Sequence, residues 1–539
     1  MTPDRPRVDF ALTHGFHAAM PRALPWICGA ALLIHLGSAA WLGSLERGGP
    51  AHAEVMLDGG IPATLYLPRE GGREAFLDAP PRDERPPGVV LMHGFASDRL
   101  GVSTLARRVA AGGYAVLAFD ASGHGQNRNP FARSFARPDA FFADYTAAVD
   151  FLRSSVLVDG GRLAVMGHSM GAGASLDFAT RDAGIDATVL ISGGFSMQGP
   201  HRPPNALFLV ASGDPQRIKT RSAELAARLA GVPALEVGGR SGDVSLGTGV
   251  RVAEVTGVDH ATIVWSRAAA DEIRAWLDAA FERAGGSPAA ADPRLLAALL
   301  AFASLVLVLP GLGVVIGRLV PRADARPAAS AAAGLAWIAA ALVATLPLLA
   351  VDTPAALLSI EVGDVIVSHL ALAGLALCAA LALRGDLPLR GALREPARTA
   401  GGALLGMAAV YVLLLPVGAV VHRMTLTPER ALVFAASAPL LLPFSISSQW
   451  LLRRGGVARA SACAVAGRAL LVASLLLGVA TGLLPSVVTL MLPSLVIVFV
   501  LFELLSCAIY AASRNLAVIA AIDSAWLALV IATVLPIRI

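Results

Sequence analysis

The strongest constraint on this chain is a set of long apolar stretches that water-soluble domains do not contain. One runs from residue 23 to 45, and eight more follow Pro293. A helix rises about 1.5 Å per residue, so about 20 apolar residues cross the ~30 Å hydrocarbon core of a bilayer. We therefore expect a transmembrane anchor at residues 23–45 and an all-α polytopic membrane domain at residues 293–539. The eight later stretches are Leu295–Gly317, Ser330–Val351, Val365–Leu383, Gly401–Val421, Ala431–Leu452, Ala469–Leu484, Val487–Ala512 and Leu516–Leu535.

The composition agrees with a large membrane-embedded part. Of the 539 residues, 55% are hydrophobic and 15% are charged, whereas soluble domains carry about 25% charged residues. The net charge of +4 is modest, and its arginines form short clusters between apolar stretches, which favours membrane topology over a nucleic-acid surface. All four cysteines lie in or beside apolar stretches. We therefore expect no disulfide framework, no metal site and no cofactor in the polar part.

Arginine placement predicts the orientation in the membrane. Arginines occur in alternate loops, and the loop 352–364 between two arginine clusters is acidic. Because lysine and arginine concentrate in cytoplasmic loops, we expect the leader, residues 1–22, in the cytoplasm and residues 46–288 outside. The Ala-, Arg- and Leu-rich usage is typical of a high-GC bacterium, so we expect the bacterial inner membrane. The loop arginines are Arg318, Arg322, Arg326, Arg384, Arg390, Arg394, Arg398, Arg453, Arg454, Arg459 and Arg514.

A cleaved signal peptide is the alternative interpretation of residues 23–45. The tripeptide Ala51-His52-Ala53 has the form of a cleavage site. The apolar stretch is, however, longer than the 7–15 residues usual for a signal peptide. This length favours a retained anchor.

The polar block 46–288 alternates short apolar runs with helical patterns. Buried strands that alternate with helices indicate a mostly parallel sheet with helices on both faces, which is an α/β fold. Ligands bind such sheets beyond the carboxyl ends of the strands. We predict a hairpin over residues 55–67, strands at 89–92, 114–119, 163–166, 187–192, 206–211 and 252–256, and helices at 100–111, 139–154 and 266–281.

One motif in this block predicts a nucleophilic serine. The segment Gly167-His168-Ser169-Met170-Gly171 has the form G-x-S-x-G, after an apolar strand and before a helical pattern. A nucleophile elbow needs this context, because its strained turn tolerates only very small residues two positions either side of the serine. A serine in an ordinary glycine turn is the alternative, and the surrounding residues must decide between the two.

Two further residues occupy the strand ends that serine catalysis requires. Asp214 follows the strand 206–211, and His260 follows the strand 252–256. Acyl transfer by a serine needs a histidine to take its proton and a carboxylate to orient that histidine. The order Ser169, Asp214, His260 matches the order of this fold. Asp259 and Asp120 are the rival carboxylates, and we expect a solvated turn for the first and loop capping for the second.

The oxyanion formed during acyl transfer needs backbone donors. We expect them to be the amides of Met170, after the nucleophile, and Phe95, after the strand end at His93-Gly94. His93 and His168 lie near these groups, and structural packing is the favoured role for both.

At these positions the chain resembles the α/β-hydrolase superfamily, especially its esterase, lipase and dienelactone-hydrolase-like branches. The resemblance covers residues 53–283 and implies a serine nucleophile that hydrolyses an ester, a thioester or, less often, an amide. Superfamily members often insert a lid after the sixth strand, but residues 193–205 are few here, so we expect an open mouth walled by residues 127–137. The segments that carry the resemblance are His93-Gly94-Phe95, Asp120 with Gly123-His124-Gly125, Gly167–Gly171, Gly213-Asp214 and Asp259-His260.

The sequence therefore predicts a membrane-anchored serine hydrolase that cleaves a small-molecule or lipid acyl ester at a bilayer. A serine peptidase on the same fold is one alternative. A transporter-like membrane protein with an accessory hydrolase domain is another, because His369, Glu503 and Asp523 lie within apolar stretches and Arg468 lies at a boundary. Ionisable residues inside a bilayer are costly and often functional.

Overall fold

The structure, a computed structural model, describes the chain in nine segments. The expected leader at residues 1–22, the arginines Arg390 and Arg394, and Asp352 of the acidic loop lie outside them. The described residues are 24–68, 76, 80–131, 141–193, 199–284, 292–324, 326–351, 358–386 and 395–538.

The polar block folds around one mixed sheet. In the described part of the chain the strand order is β1-β2-β4-β3-β5-β6-β7-β9-β8. The pairs from β4 to β9 are parallel, whereas β1, β2 and β8 pair antiparallel at the edges. This confirms the predicted α/β fold with a mostly parallel sheet. The strands are β1 (His52–Leu57), β2 (Ile61–Tyr66), β3 (Pro87–Met92), β4 (Ala115–Phe119), β5 (Asp159–His168), β6 (Ala187–Ile191), β7 (Ala206–Ala211), β8 (Arg240–Ser241) and β9 (Val250–Val255).

Helices cover both faces of the sheet. Alternate residues of β3 serve the two faces, since Val89 and Leu91 pack in one apolar cluster and Val90 and Met92 in another. Burial on both sides explains why the central strands are continuous apolar runs rather than alternating ones. The helices are α2 (Ser103–Ala110), α3 (Phe142–Ser154), α4 (Met170–Ala179), α5 (Gln216–Ala230) and α6 (Arg267–Ala280). Of these, α5 was not predicted from the sequence.

The remaining helices form an apolar bundle. Within the described residues, nine helices are long and apolar enough to cross a membrane, as the sequence predicted. Large apolar side chains face outward, such as Leu404, which is 70% exposed, and Leu432, which is 73% exposed. The nine are α1 (Leu24–Arg47), α7 (Pro293–Leu319), α8 (Ala331–Thr345, continued by a 3₁₀ turn to Ala350), α9 (Gly363–Leu383), α10 (Pro396–Gly418), α11 (Pro428–Leu452), α12 (Val457–Ala480), α13 (Val488–Ser513) and α14 (Leu516–Val534).

One span was placed wrongly from the sequence. The stretch Ala469–Leu484 was expected as a helix with Arg468 at its boundary, but α12 begins at Val457 and Arg468 lies in its interior. The reason is a tertiary contact that hydropathy does not show. Arg468 forms ion pairs with Glu503 at 3.4 Å and Asp523 at 3.1 Å. Pairing inside the bundle allows the helix to include this charge.

The two ends of the bundle differ in composition. Described arginines of the predicted cytoplasmic loops meet at one end, where Arg454 pairs with Asp386 at 3.2 Å and Arg514 donates to the Gly455 carbonyl at 2.7 Å. The α/β region attaches at the other end, where Arg294 at the start of α7 pairs with Glu46 at the end of α1. The predicted arginine clusters thus lie on the face remote from the α/β region.

Candidate active site

Ser169 stands on a sharp turn between β5 and α4. Its backbone has φ 54° and ψ −109°, a region that residues with a side chain rarely adopt. The flanking glycines are sterically required. A Cβ on Gly167 would lie 2.1 Å from the Gly171 carbonyl oxygen, and one on Gly171 would lie 2.4 Å from that of Met92. The serine therefore occupies the strained elbow that the motif predicted.

The structure brings the three residues predicted for catalysis into one hydrogen-bonded row. The His260 Nε2 atom lies 3.0 Å from the Ser169 hydroxyl oxygen, and His260 Nδ1 lies 2.7 Å from an Asp214 carboxylate oxygen. Asp214 follows β7 and His260 follows β9, which are neighbouring strands. With Nδ1–H donating to Asp214, Nε2 can accept the serine proton. The row can therefore generate a serine nucleophile.

The Asp214 carboxylate is held ionised by further donors. Its second oxygen accepts hydrogen bonds from the Ser192 hydroxyl at 2.6 Å and the Ala211 amide at 2.7 Å. Burial alone would raise the pKa of Asp214, but the hydrogen bonds from His260, Ser192 and Ala211 outweigh burial, and the pKa lies below its usual value. The carboxylate is therefore charged at neutral pH, as an orienting group for a histidine must be.

Ser192 is a site residue that the sequence analysis missed. It directly follows β6 and has φ 51°, and the Cβ of an alanine at the next position, Gly193, would lie 2.4 Å from the Ser169 carbonyl oxygen. The available signal was a Ser-Gly pair at a strand end, the same kind of position that identified Ser169 and Asp214. A hydroxyl there gave no specific indication of its partner.

The predicted oxyanion donors flank the nucleophile along the chain and in space. Met170 is the first residue of α4, and amides in the first turn of a helix have no acceptor within that helix. Phe95 follows Gly94, whose added Cβ would lie 3.3 Å from the Ser169 Cβ. The loop after β3 therefore runs close beside the nucleophile. Both amides belong to segments next to Ser169.

Two neighbouring histidines form hydrogen bonds with backbone groups, which indicates a structural role rather than proton transfer. His93 Nδ1 bonds to the Gly94 carbonyl at 2.7 Å, and its Nε2 accepts from the Ala121 amide at 3.1 Å. His168 Nε2 bonds to the His260 carbonyl at 2.7 Å. Burial lowers the pKa of His93, and burial followed by the neighbouring His260 lowers the pKa of His168 to about 3. Both are neutral at pH 7, which fits the structural roles expected for them.

The two rival carboxylates, Asp120 and Asp259, accept hydrogen bonds from the backbone of loops. Asp120 accepts from the Arg99 and Gln126 amides, each at 2.8 Å, and forms an ion pair with the Arg99 guanidinium. Asp259 accepts from the Thr262 amide at 2.8 Å, within its own turn. Among the described residues, no group of three or more His, Cys, Asp or Glu side chains could hold a metal ion.

Comparison with known proteins places residues 84–228 in the family model Hydrolase_4, described as serine aminopeptidase, S33. Bis(hydroxyethyl) terephthalate hydrolase of Streptomyces coelicolor is 30% identical over 157 residues, which are 28% of this chain and 47% of that protein. Cutinase est1 of Thermobifida alba is 28% identical over 138 residues, which are 24% of this chain and 39% of that protein. The chain thus spans less than half the length of these curated relatives.

Among solved structures, a hyperthermophilic esterase from the archaeon Pyrobaculum calidifontis aligns with 47% of this chain and 92% of its own. The identity is 19% and the TM-score 0.31. The family model and the sheet topology together show that the polar region carries an α/β-hydrolase domain.

Proposed function

Given an α/β-hydrolase domain joined to helices that are long and apolar enough to cross a membrane, we propose that the protein is a membrane-anchored serine hydrolase that cleaves a carboxylic ester or thioester. The observation that carries the proposal is the Ser169–His260–Asp214 row, with contacts of 3.0 Å and 2.7 Å on a strained elbow. The relatives named as cutinases and a terephthalate ester hydrolase support an ester as the substrate.

The first half-reaction forms an acyl-enzyme. His260 Nε2 takes the proton from Ser169 as the serine oxygen attacks the carbonyl carbon of the ester. The resulting oxyanion accepts hydrogen bonds from the amides of Phe95 and Met170. The tetrahedral intermediate then collapses, and His260 gives its proton to the departing alcohol or thiol. Asp214 stabilises the imidazolium throughout and stays ionised.

The second half-reaction regenerates the serine. A water molecule gives a proton to His260 while its oxygen attacks the acyl carbon on Ser169. The second oxyanion uses the same two amides, and collapse breaks the bond to Ser169 as His260 returns a proton to the serine oxygen. The products are the free acid and the resting site.

The anchoring part of the proposal assigns residues 23–45 to a retained helix, 46–288 to the catalytic domain and 293–539 to the membrane domain. The arginine-bearing ends of the helices lie opposite the catalytic domain, which supports an extracytoplasmic active site. Single cysteines at the exposed positions Asp58 and Ala397, in a cysteine-free background, test this orientation. An impermeant maleimide applied to intact cells should label the first and spare the second, and labelling of both from one side would overturn it.

Peptide hydrolysis is the second candidate, because the matching family model is described as a serine aminopeptidase. An ester and an amide of the same acyl group separate the two. We expect Ser169-dependent turnover of the ester to be much faster, and faster turnover of the amide would favour the peptidase.

The central test is labelling of the full-length protein with a fluorescent fluorophosphonate. Ser169→Ala should abolish labelling, because Ser169 is the serine whose hydroxyl lies 3.0 Å from the His260 Nε2 atom. Ser154→Ala, at an exposed serine on α3, is the matched control and should label like the wild type. Labelling of Ser169→Ala at the wild-type level would show that the nucleophile is elsewhere.

A further inference from the structure

The catalytic edge of the sheet rests on the helical bundle. Loops that follow β3 and β4 contact the connection between α10 and α11 and the segment after α14. Asp98 accepts from the Arg423 amide at 2.9 Å, and the Phe131 amide donates to the Ile537 carbonyl at 2.8 Å. The loops at the carboxyl ends of β3 and β4, on the side of the sheet where substrates bind, therefore face the apolar helices.

A buried arginine fastens this contact. Arg430, in the first turn of α11, is 1% exposed. Its guanidinium donates to the Gly123 and Gly125 carbonyls at 2.8 Å and 2.9 Å, and to the Ala532 and Leu535 carbonyls at 2.6 Å and 3.0 Å. The loop after β4 and the end of α14 thus accept hydrogen bonds from the same guanidinium. Arg430 therefore fixes the position of the catalytic domain on the bundle.

Apolar residues connect the nucleophile to the bundle. A Cβ added to Gly94 would lie 3.3 Å from the Ser169 Cβ, and the next two residues, Phe95 and Ala96, pack against the main apolar cluster of the helical region. The nucleophile is therefore separated from side chains of the membrane helices by a segment of two apolar residues.

The connection between α10 and α11 adds an apolar rim. Met424 packs against the same cluster, and Leu426 is 41% exposed. Both lie where helices emerge from the apolar zone, in a connection that also holds the oxyanion loop through Arg423. We name residues 424–426 the rim. In a bilayer crossed by α10 and α11, an exposed leucine in their connection would present apolar area to lipid chains.

We propose that the substrate is a long-chain acyl ester resident in the leaflet on the catalytic side, and that it reaches Ser169 across the rim without leaving the bilayer. The inference rests on the proposed serine hydrolase function and names its substrate class. Each methylene of an acyl chain is unfavourable in water. A site that adjoins the bilayer keeps the chain in an apolar environment while the ester carbonyl moves to the oxyanion donors.

Two esters with the same leaving group test the substrate class. The full-length protein is placed in phosphatidylcholine nanodiscs and given 4-methylumbelliferyl oleate, which partitions into the bilayer, or 4-methylumbelliferyl acetate, which stays in water. We compare the two rates after dividing each by the concentration of that ester in its own phase, the bilayer for the oleate and water for the acetate. We expect the oleate to have the higher of these rates. Ser169→Ala should abolish both rates.

The rim is tested by the double variant Met424→Gln/Leu426→Gln. We expect oleate hydrolysis to fall about tenfold, because apolar contact with the chain is lost, while acetate hydrolysis changes less than about twofold. Leu246→Gln is the matched control, since Leu246 is 74% exposed in the turn between β8 and β9, beside the edge strand β8 and away from the active site. That variant should hydrolyse both esters like the wild type.

The outcomes separate the two proposals. Acetate hydrolysis that requires Ser169, with an oleate rate no higher, would overturn the bilayer substrate and leave the hydrolase function intact. Equal effects of the rim variant on both esters would also overturn it, because the rim would then act on catalysis and not on the chain. Absence of Ser169-dependent hydrolysis of either ester would contradict the hydrolase function itself.

Discussion

The hydrolase domain and the helical bundle bury opposite kinds of side chain. In the hydrolase domain, central strand residues such as Leu91 and Leu117 have no exposed surface. In the bundle, Leu404 and Leu432 face outward while polar residues such as Ser437 are buried. The first pattern is produced by the hydrophobic effect in water, whereas the second suits a surrounding as apolar as leucine itself. The two regions of the chain therefore suit different surroundings, and the loop beside Ser169 packs where the two regions meet.

Buried charge differs in the same way. In the hydrolase domain, Asp214 belongs to the hydrogen-bonded row Asp214–His260–Ser169, which ends at the proposed nucleophile. In the bundle, Arg453 pairs with Glu503 at 2.7 Å, Arg468 bridges Glu503 and Asp523, and charges of both signs balance. Paired opposite charges offset the free-energy cost of burying each charge, and they expose no reactive group. We infer that the row serves chemistry and that the bundle network holds helices together.

The largest expected effect breaks the catalytic row without touching the bundle. Asp214→Asn should lower kcat/KM for ester hydrolysis by about 10⁴-fold, because an amide facing His260 Nδ1 favours the wrong tautomer. Ester turnover and a thermal melt measure the two consequences, and the melt should stay near that of the wild type. Ser192→Ala is the milder companion, since it removes one of the carboxylate's donors. Wild-type turnover in Asp214→Asn would show that the carboxylate does not orient His260.

The second prediction breaks the bundle network. Glu503→Leu leaves Arg453, which is fully buried, without its carboxylate partner, and removing one member of a buried pair costs about 3–5 kcal/mol. All four cysteines lie in the apolar helices, so a thiol-reactive dye reports the melting of the bundle alone. The exposed pair Arg398–Glu395 at the start of α10 supplies the control within the bundle, because Arg398→Leu should cost about 1 kcal/mol or less.

The same network tests the transporter alternative. Glu503→Gln and Asp523→Asn remove charge with little change of shape. If either variant melts like the wild type and hydrolyses esters normally yet abolishes a cellular phenotype, the network has a role beyond holding helices. A normal phenotype in both would count against transport.

Sequence patterns predicted the parts of the molecule that depend on local order. Ser169, Asp214 and His260 could be placed together because each ends a strand, and the carboxyl ends of parallel strands meet at one edge. The apolar helices followed from their length. Ser192 could not be assigned, because a hydroxyl after β6 gives no sign that its partner follows β7.

Contacts between distant segments explain the remaining differences. The start of α12 was missed because Arg468 is compensated by carboxylates on two other helices, which no window of the sequence shows. The seat of the catalytic edge on the α10–α11 connection was missed for the same reason. Arg430 is more than 300 residues from its acceptors Gly123 and Gly125, and the pattern around it is that of an ordinary first helical turn.

The third prediction separates the two regions. Arg430→Met removes the charged donor that the loop after β4 and the end of α14 share, and leaves buried carbonyls without it. Loss of a hydrogen bond to a charged group costs about 1.5–3 kcal/mol. We expect the temperature at which hydrolysis is lost to fall below the temperature at which the dye labels the bundle. In the wild type we expect hydrolysis to be lost at the temperature at which the dye labels the bundle. If the two temperatures also agree in Arg430→Met, Arg430 does not couple the regions. Arg128→Met, at an exposed arginine that pairs with Glu429, is the matched control.

The smallest expected effect distinguishes the regions by pH. Burial lowers the pKa of His168 to about 3 from its ordinary 6.5, so the unfolded state binds more protons between these values. The stability that the neutral imidazole contributes is complete above pH 6.5 and is lost as the pH falls towards 3, by about 2 kcal/mol at pH 5. His168→Gln retains a donor for the His260 carbonyl and does not titrate. The temperature at which hydrolysis is lost should therefore fall less steeply from pH 7 to pH 5 in this variant than in the wild type. The buried His93 and His124 should preserve part of the slope, because burial lowers the pKa of both.

His201→Gln, at an exposed histidine, is the control and should keep the wild-type slope. The dye-detected melt of the bundle should show no difference between His168→Gln and His201→Gln. A wild-type slope in His168→Gln would show that this imidazole is not held neutral beside the catalytic histidine.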